Sequence, residues 1–185
     1  MNTASVTPSV VVLGWGNITR TDGALGPLLM ERVRGARLRH VTLVEDFQLQ
    51  IEHALDLQGH ALALFADAGF GTPAPFAFYR TEPRAGTAYS SHKLAPEAVL
   101  DIYQRVLGET PPPAFILSVA GEDFSVGDAL SPAAAQRLEL ASDFLLQLLR
   151  APSLENWQAA AKDYRGTVES GPQARPKGAG PRQSR

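Results

Sequence analysis

Four short apolar runs punctuate the first two thirds of the chain, and each leads into a polar or acidic step. Ser9 to Leu13 runs into Gly14-Trp15-Gly16-Asn17 and on to Asp22. Val41 to Val44 ends in Glu45-Asp46. Ala61 to Ala66 ends in Asp67, and Phe115 to Ala120 ends in Gly121-Glu122-Asp123. Runs this short and this apolar read as strands buried on both faces, the pattern of a parallel sheet. Between them lie stretches of helical period: about 24–33, 48–57 and 96–107, and a long one from Ser131-Pro132 to Arg150. Serine as cap with proline at the first helical position is a strong start signal for the last of these. In the second, Leu49, Ile51, Leu55 and Leu57 offer an inner face. In the fourth, Leu138, Phe144, Leu145, Leu148 and Leu149 do the same. Residues 76–80 read as an edge strand, antiparallel if anything. Residues 151–165 read as a short extra helix docked by Leu154 and Trp157.

Strands alternating with helices predict βαβ units and a three-layer α/β/α sandwich, with a mostly parallel twisted sheet of about five strands. Ligands of such sheets bind beyond the carboxyl ends of the strands. The acids that follow the apolar runs therefore gather on one rim, as a metal or polar-substrate site requires.

Composition narrows the classes. The 185 residues suit one domain, here expected over 1–165. After Gly166 large apolar residues vanish apart from Val168, and Gly, Pro, Arg, Gln and Ser dominate. Residues 166–185 are expected to be a disordered basic tail. Arg175, Lys177, Arg182 and Arg185 against Glu169 give it a net +3, which leaves −5 on the remainder of a chain that totals −2. That balance argues against nucleic acid as a partner. No run reaches the ~18 apolar residues of a membrane span, and Met1 to Pro8 lacks the basic start of a signal peptide. There is no cysteine, which removes thiolate ligands and thiol nucleophiles and fits the cytoplasm.

The candidate chemistry is carboxylate and imidazole. A Rossmann fingerprint would need glycine at position 19, which is Thr19. Asp22, just before a helix, reads as an N-cap or a site acid. Asp67, leaving a buried strand, should be partly desolvated and in want of a cation or amide donors. His92, in Ser90-Ser91-His92-Lys93, supplies with Asp67 the types of a zinc or nickel site. His40, His53 and His60 read as structural. Glu45, Asp46, Glu122 and Asp123 lie on the same expected rim.

Taken in order, these residues resemble the hydrogenase maturation endopeptidases of nickel–iron hydrogenases. The stretch from Val11 to Pro27 is similar to that family's opening strand, glycine turn and helix. Phe65-Ala66-Asp67-Ala68 resembles its strand-end aspartate, and Ser91-His92-Lys93-Leu94 its histidine loop. Phe47 to Leu57 is similar to the subset that serves soluble NAD-reducing hydrogenases. The resemblance implies an enzyme that removes a short C-terminal extension from the hydrogenase large-subunit precursor once nickel is in place. The implied metal and catalytic residues are Asp67, His92 and Asp22, with nickel carried by the precursor. One departure stands out. The family's first loop has two consecutive acids, the second being the ligand, and here the pair is Asp22-Gly23. Either Asp22 takes the ligand's place, or Glu45 or Asp46 substitutes, or the chain binds the large subunit without cutting it.

Overall fold

A computed structural model describes residues 7–86, 88–90 and 93–163. Its main sheet has five strands: β1 (Val10–Trp15), β2 (Val41–Asp46), β3 (Leu62–Phe70), β4 (Phe76–Thr81) and β7 (Ala114–Gly121). They stand in the order β2-β1-β3-β7-β4. The pairs β1–β2, β1–β3 and β3–β7 are parallel, and β4 runs antiparallel to β7 on the edge. Two very short strands, β5 (Ala88–Ser90) and β6 (Lys93–Leu94), pair apart from it where the sequence suggested only loop.

The unbroken apolar runs are explained by what covers the sheet. Val10 and Val12 of β1, Leu62, Leu64 and Ala66 of β3, and Phe115, Leu117 and Val119 of β7 belong to one core. It is closed by α1 (Leu25–Gly35), α4 (Pro132–Arg150) and α5 (Leu154–Asp163). The alternate residues Val11, Leu13, Ala63, Phe65, Ala114 and Ile116 belong to a second core under α2 (His53–Asp56) and α3 (Pro96–Leu107). Side chains alternate across a strand, so a strand covered on both faces has no polar positions to spare. The expected three-layer sandwich with a mostly parallel sheet is the observed architecture.

Several boundaries behave as the sequence implies. The Ser131 hydroxyl accepts from the Ala134 amide at 3.2 Å with Pro132 beside it, which caps α4. Gly108, at φ 67°, ends α3 in the left-handed conformation. Trp157 is fully buried, edge-on to Phe115 at 5.3 Å and Phe78 at 6.2 Å, and its indole N–H donates to the Leu148 carbonyl.

Three expectations need correction. The helix read over 48–57 shrinks to the single turn His53–Asp56. Upstream, local side-chain bonds compete with the helical ladder: the Phe47 amide donates to Asp46 Oδ1, and the Gln50 amide to His53 Nδ1. Leu49 and Leu57 are buried, but Ile51 and Leu55 face outward. Leu154 is partly exposed rather than docked. The third strand does not stop before Asp67 but continues to Phe70, because β7 pairs with it along that whole stretch. The expected tail, 166–185, lies outside the described residues.

Candidate active site

A cavity of about 690 Å³ opens where β1, β3 and β7 reach their carboxyl ends. Its sheet wall is set by register. Asp67 of β3 stands opposite Ser118 of β7, and Trp15 follows Gly14, the partner of Ala66, on β1. Trp15, Asp67, Ile116 and Ser118 all line the cavity, with Tyr79 of β4. By strand alternation they share the face of Phe65 and Ile116, the side covered by α2 and α3. Leu94 and Ala95 and the start of α3, Pro96 and Glu97, close the opposite wall.

Asp67 is half-buried, and its Oδ1 accepts from the Ala68 amide at 2.6 Å. Its position inside a strand, rather than on a loop, fixes its direction: the backbone on both sides is held in the ladder with β7. A carboxylate in this setting can coordinate a cation, or take a proton from a water held beside it. His92, its expected partner, lies outside the described residues. Among the described residues no group of three or more His, Asp or Glu side chains is arranged to hold a metal ion.

Asp22 is placed differently from the sequence expectation. It belongs to a 3₁₀ turn, Thr21–Ala24, ahead of α1, and it is fully buried. Its Oδ2 accepts from the amides of Glu122 (2.8 Å) and Asp123 (3.0 Å) and from the Ser131 hydroxyl (3.0 Å). Its Oδ1 accepts from the Ser131 amide at 2.8 Å. Burial pushes this carboxyl up, but the amides of Asp123, Glu122 and Ser131 and the Ser131 hydroxyl together outweigh it and hold it below the usual carboxylate range. Nor is it among the residues that line the cavity. The N-cap reading fails as well, since the donors come from the loop after β7, about a hundred residues away. Asp22 is a brace: it binds the loop after β1 to the loop after β7.

The same two loops share further bonds. The Asp22 amide donates to the Asp123 carbonyl at 2.9 Å, and the Gly127 amide to the Thr19 carbonyl at 3.0 Å. The Thr21 hydroxyl also donates to the Asp123 carbonyl. Glu122 and Asp123 thus serve the brace through their backbone. Their side chains turn away, Glu122 to Arg137 at 2.5 Å and Asp123 to the Ser125 amide at 2.8 Å.

Gly23, where the family resemblance expects the ligand acid, does line the cavity. A Cβ added there would meet Arg20 Cβ at 3.0 Å and the Asn17 carbonyl at 3.3 Å. Gly16 makes the turn possible: its φ is 155°, and a side chain there would lie 2.3 Å from the Gly23 carbonyl. Glu45 and Asp46, the candidate substitutes, are engaged elsewhere. Glu45 pairs with Arg34 of α1. Asp46 accepts from the Phe47 amide and Gln50 Nε2 and stands 3.5 Å from His53 Nε2. His40 donates to the Leu149 carbonyl, and His60 meets the Thr42 hydroxyl.

The structure adds cavity residues that sequence reading passed over. Ser118 was visible as the one polar residue in the run 115–120. Glu97 and Tyr79 left no such sign, because Glu97 reaches the cavity only through the packing of α3 on the sheet and Tyr79 only through the pairing of β4 with β7. Arg20 and Phe124 also line it, and the Arg20 guanidinium donates to the Phe124 carbonyl at 3.3 Å.

No family model matches the chain, and no curated protein does. Solved structures do. The hydrogenase maturating endopeptidase HybD from E. coli superposes with a TM-score of 0.63 at 25% identity, covering 77% of this chain and 92% of that one. The [NiFe] hydrogenase maturation protease HycI from Thermococcus kodakarensis KOD1 gives 0.61 at 20% identity, with 79% and 95% covered. A hydrogenase 2 maturation peptidase from Thaumarchaeota archaeon SCGC_AB-539-E09 gives 0.57 at 19% identity, with 77% and 99% covered. The two more distant likenesses speak for fold alone. The chain shares its fold, over nearly the whole length of each of them, with hydrogenase maturation proteases.

Proposed function

We propose that this chain is an endopeptidase that removes the C-terminal extension of a nickel–iron hydrogenase large-subunit precursor after nickel has been inserted. The observation that carries the reading is Asp67. It is a strand-held carboxylate facing a large cavity at the carboxyl ends of the sheet, in a fold shared at 25% identity with a hydrogenase maturating endopeptidase. In this reading the nickel arrives as part of the substrate, and Asp67 and His92 contact it. Leu94, two positions after His92, lines the same cavity. Water adds across the scissile amide and leaves a new carboxylate and a free amine. The resemblance of Phe47 to Leu57 supports a client of the soluble NAD-reducing type; Phe47, Gln48 and Leu49 of that motif line the cavity. Mass spectrometry of nickel-loaded precursor mixed with the protein tests the proposal. Loss of the extension is expected, and Asp67→Ala and His92→Ala should each abolish it. Precursor left intact by the wild-type chain, under conditions where a related protease cuts its own client, would refute it.

A second reading has its own observation. Gly23 lines the cavity without a donor atom, and Asp22 is spent on the brace. A chain that keeps two of three ligands suits a non-catalytic binding module, or chaperone, for the large subunit. It would bind the precursor without cutting it, and Gly23→Asp should then restore cutting. The Arg20 stem and the Asn17 carbonyl would each have to give by a few tenths of an ångström.

A further inference from the structure

Arg20 is the one arginine or lysine lining the cavity among the described residues. It extends from the loop after β1, and its stem roofs the gap left by Gly23: a Cβ on that glycine would lie 3.0 Å from Arg20 Cβ. A guanidinium carries five N–H donors in a planar fork. Among the described residues a single hydrogen bond occupies it, from Nη1 to the Phe124 carbonyl at 3.3 Å. Arg32, Arg34, Arg80, Arg105 and Arg137 each stand in an ion pair, and no carboxylate among the described residues pairs with Arg20. Of the acids lining the cavity, Glu97 takes the Thr81 hydroxyl at 2.9 Å, and Asp67 sits on the sheet wall. The carbonyl contact ties the fork to the loop after β7, and the Phe124 ring stands 3.8 Å from where a Cβ on Gly23 would lie.

Resting on the endopeptidase reading above, we propose that Arg20 seats a carboxylate of the client's C-terminal segment in the space beside Gly23. The missing acid of the first loop is thereby answered from the substrate side, by an anion that the client brings and this chain clamps. A fork–fork contact fits that role, since bidentate pairing with a carboxylate gives direction as well as attraction. Phe124 beside it, with Phe47 and Trp15 also on the lining, favours an acid flanked by apolar residues. The carboxylate belongs either to an acidic side chain or to the chain terminus. Both present the same two oxygens, and the experiment separates them.

The test uses the full-length protein with two probes: the nickel-loaded precursor, and a fluorescent synthetic peptide of its C-terminal extension. Arg20→Gln is compared with the wild type. It is expected to raise KM for the precursor and Kd for the peptide about tenfold, with kcat within about twofold, and Arg20→Lys should recover only part of the loss. The penalty should disappear for one altered client: a peptide with one acid replaced by its amide if a side chain is held, or a peptide with an amidated end if the terminus is. Unchanged KM and Kd in Arg20→Gln would overturn the inference and leave the proposed function standing. An equal penalty on every altered client would overturn it too, since Arg20 would then be acting on the wall rather than on a ligand. Failure of the wild type to cut would refute proteolysis, while peptide affinity would still decide the role of Arg20.

Discussion

Replacing Asp22 with asparagine separates a brace from a metal ligand. The change keeps shape and size but turns one oxygen into a donor. If the amide oxygen takes the Oδ2 position, it keeps the Glu122 and Asp123 amides and the Ser131 hydroxyl. The new NH₂ then faces the Ser131 amide, which donates to Oδ1 at 2.8 Å in the parent. One charge-assisted bond is lost, worth roughly 1.5–3 kcal/mol, and a buried donor is left facing another donor at roughly 1–3 kcal/mol. The three surviving bonds weaken with the charge. A loss of about 3–5 kcal/mol follows, and for a chain of this size that lowers Tm by about 6–20 °C. Urea and thermal unfolding followed by tryptophan fluorescence measure it, with Trp157 in the core as reporter. Precursor cleavage well below the new Tm should remain. An Asp22→Asn protein within about 0.5 kcal/mol of the wild type would refute the brace. The same protein, stable but unable to cut, would return Asp22 to the ligand role.

The remaining predictions concern the same framework. The Asp22 carboxyl is depressed in the folded state, so its stabilisation is complete above about pH 4 and is lost as pH falls from there through the folded value. Urea midpoints of wild type and Asp22→Asn should therefore converge below about pH 4, and a gap that stays constant into strong acid would refute the assignment. Gly26→Ala should destabilise by about 1–3 kcal/mol although alanine is the better helix former, because its Cβ would lie 2.1 Å from the Trp15 carbonyl. A gain in Tm would refute that close approach. Trp157→Ala should cost about 3–5 kcal/mol in urea unfolding by emptying the space against Phe78 and Phe115, and a loss under about 1 kcal/mol would show that α5 does not seal the core.

The sheet was legible because burial on both faces leaves an unmistakable trace: runs such as Val10 to Leu13 and Leu62 to Ala66 have no polar member. The start of α4 was legible because it rests on local chemistry at Ser131 and Pro132. What escaped depends on contacts distant in sequence. Asp22 looks the same on paper whether it caps the helix it precedes, faces a cavity or accepts amides from residues 122–131. Only the closing of β7 beside β3 decides, and no spacing rule carries that. The helix around 48–57 misled for a local reason, since Asp46 and His53 draw the nearby amides into their own hydrogen bonds. The cavity acid Asp67 was legible as a charge at the end of an apolar run. The cation opposite the Gly23 gap was not, because Arg20 reads as an ordinary polar loop residue.

The knot of hydrogen bonds at Asp22 also carries an order of events. Its acceptor lies near the start of the chain, and its donors, at Glu122, Asp123 and Ser131, emerge some hundred residues later. During synthesis the glycine turn and the start of α1 must wait on the ribosome for their counterpart, and the wall they form is unfinished until then. Fragments that stop before residue 131 should therefore lack a finished cavity wall even where their strands have paired, so the cleft takes its shape only after the last strand of the sheet has been made.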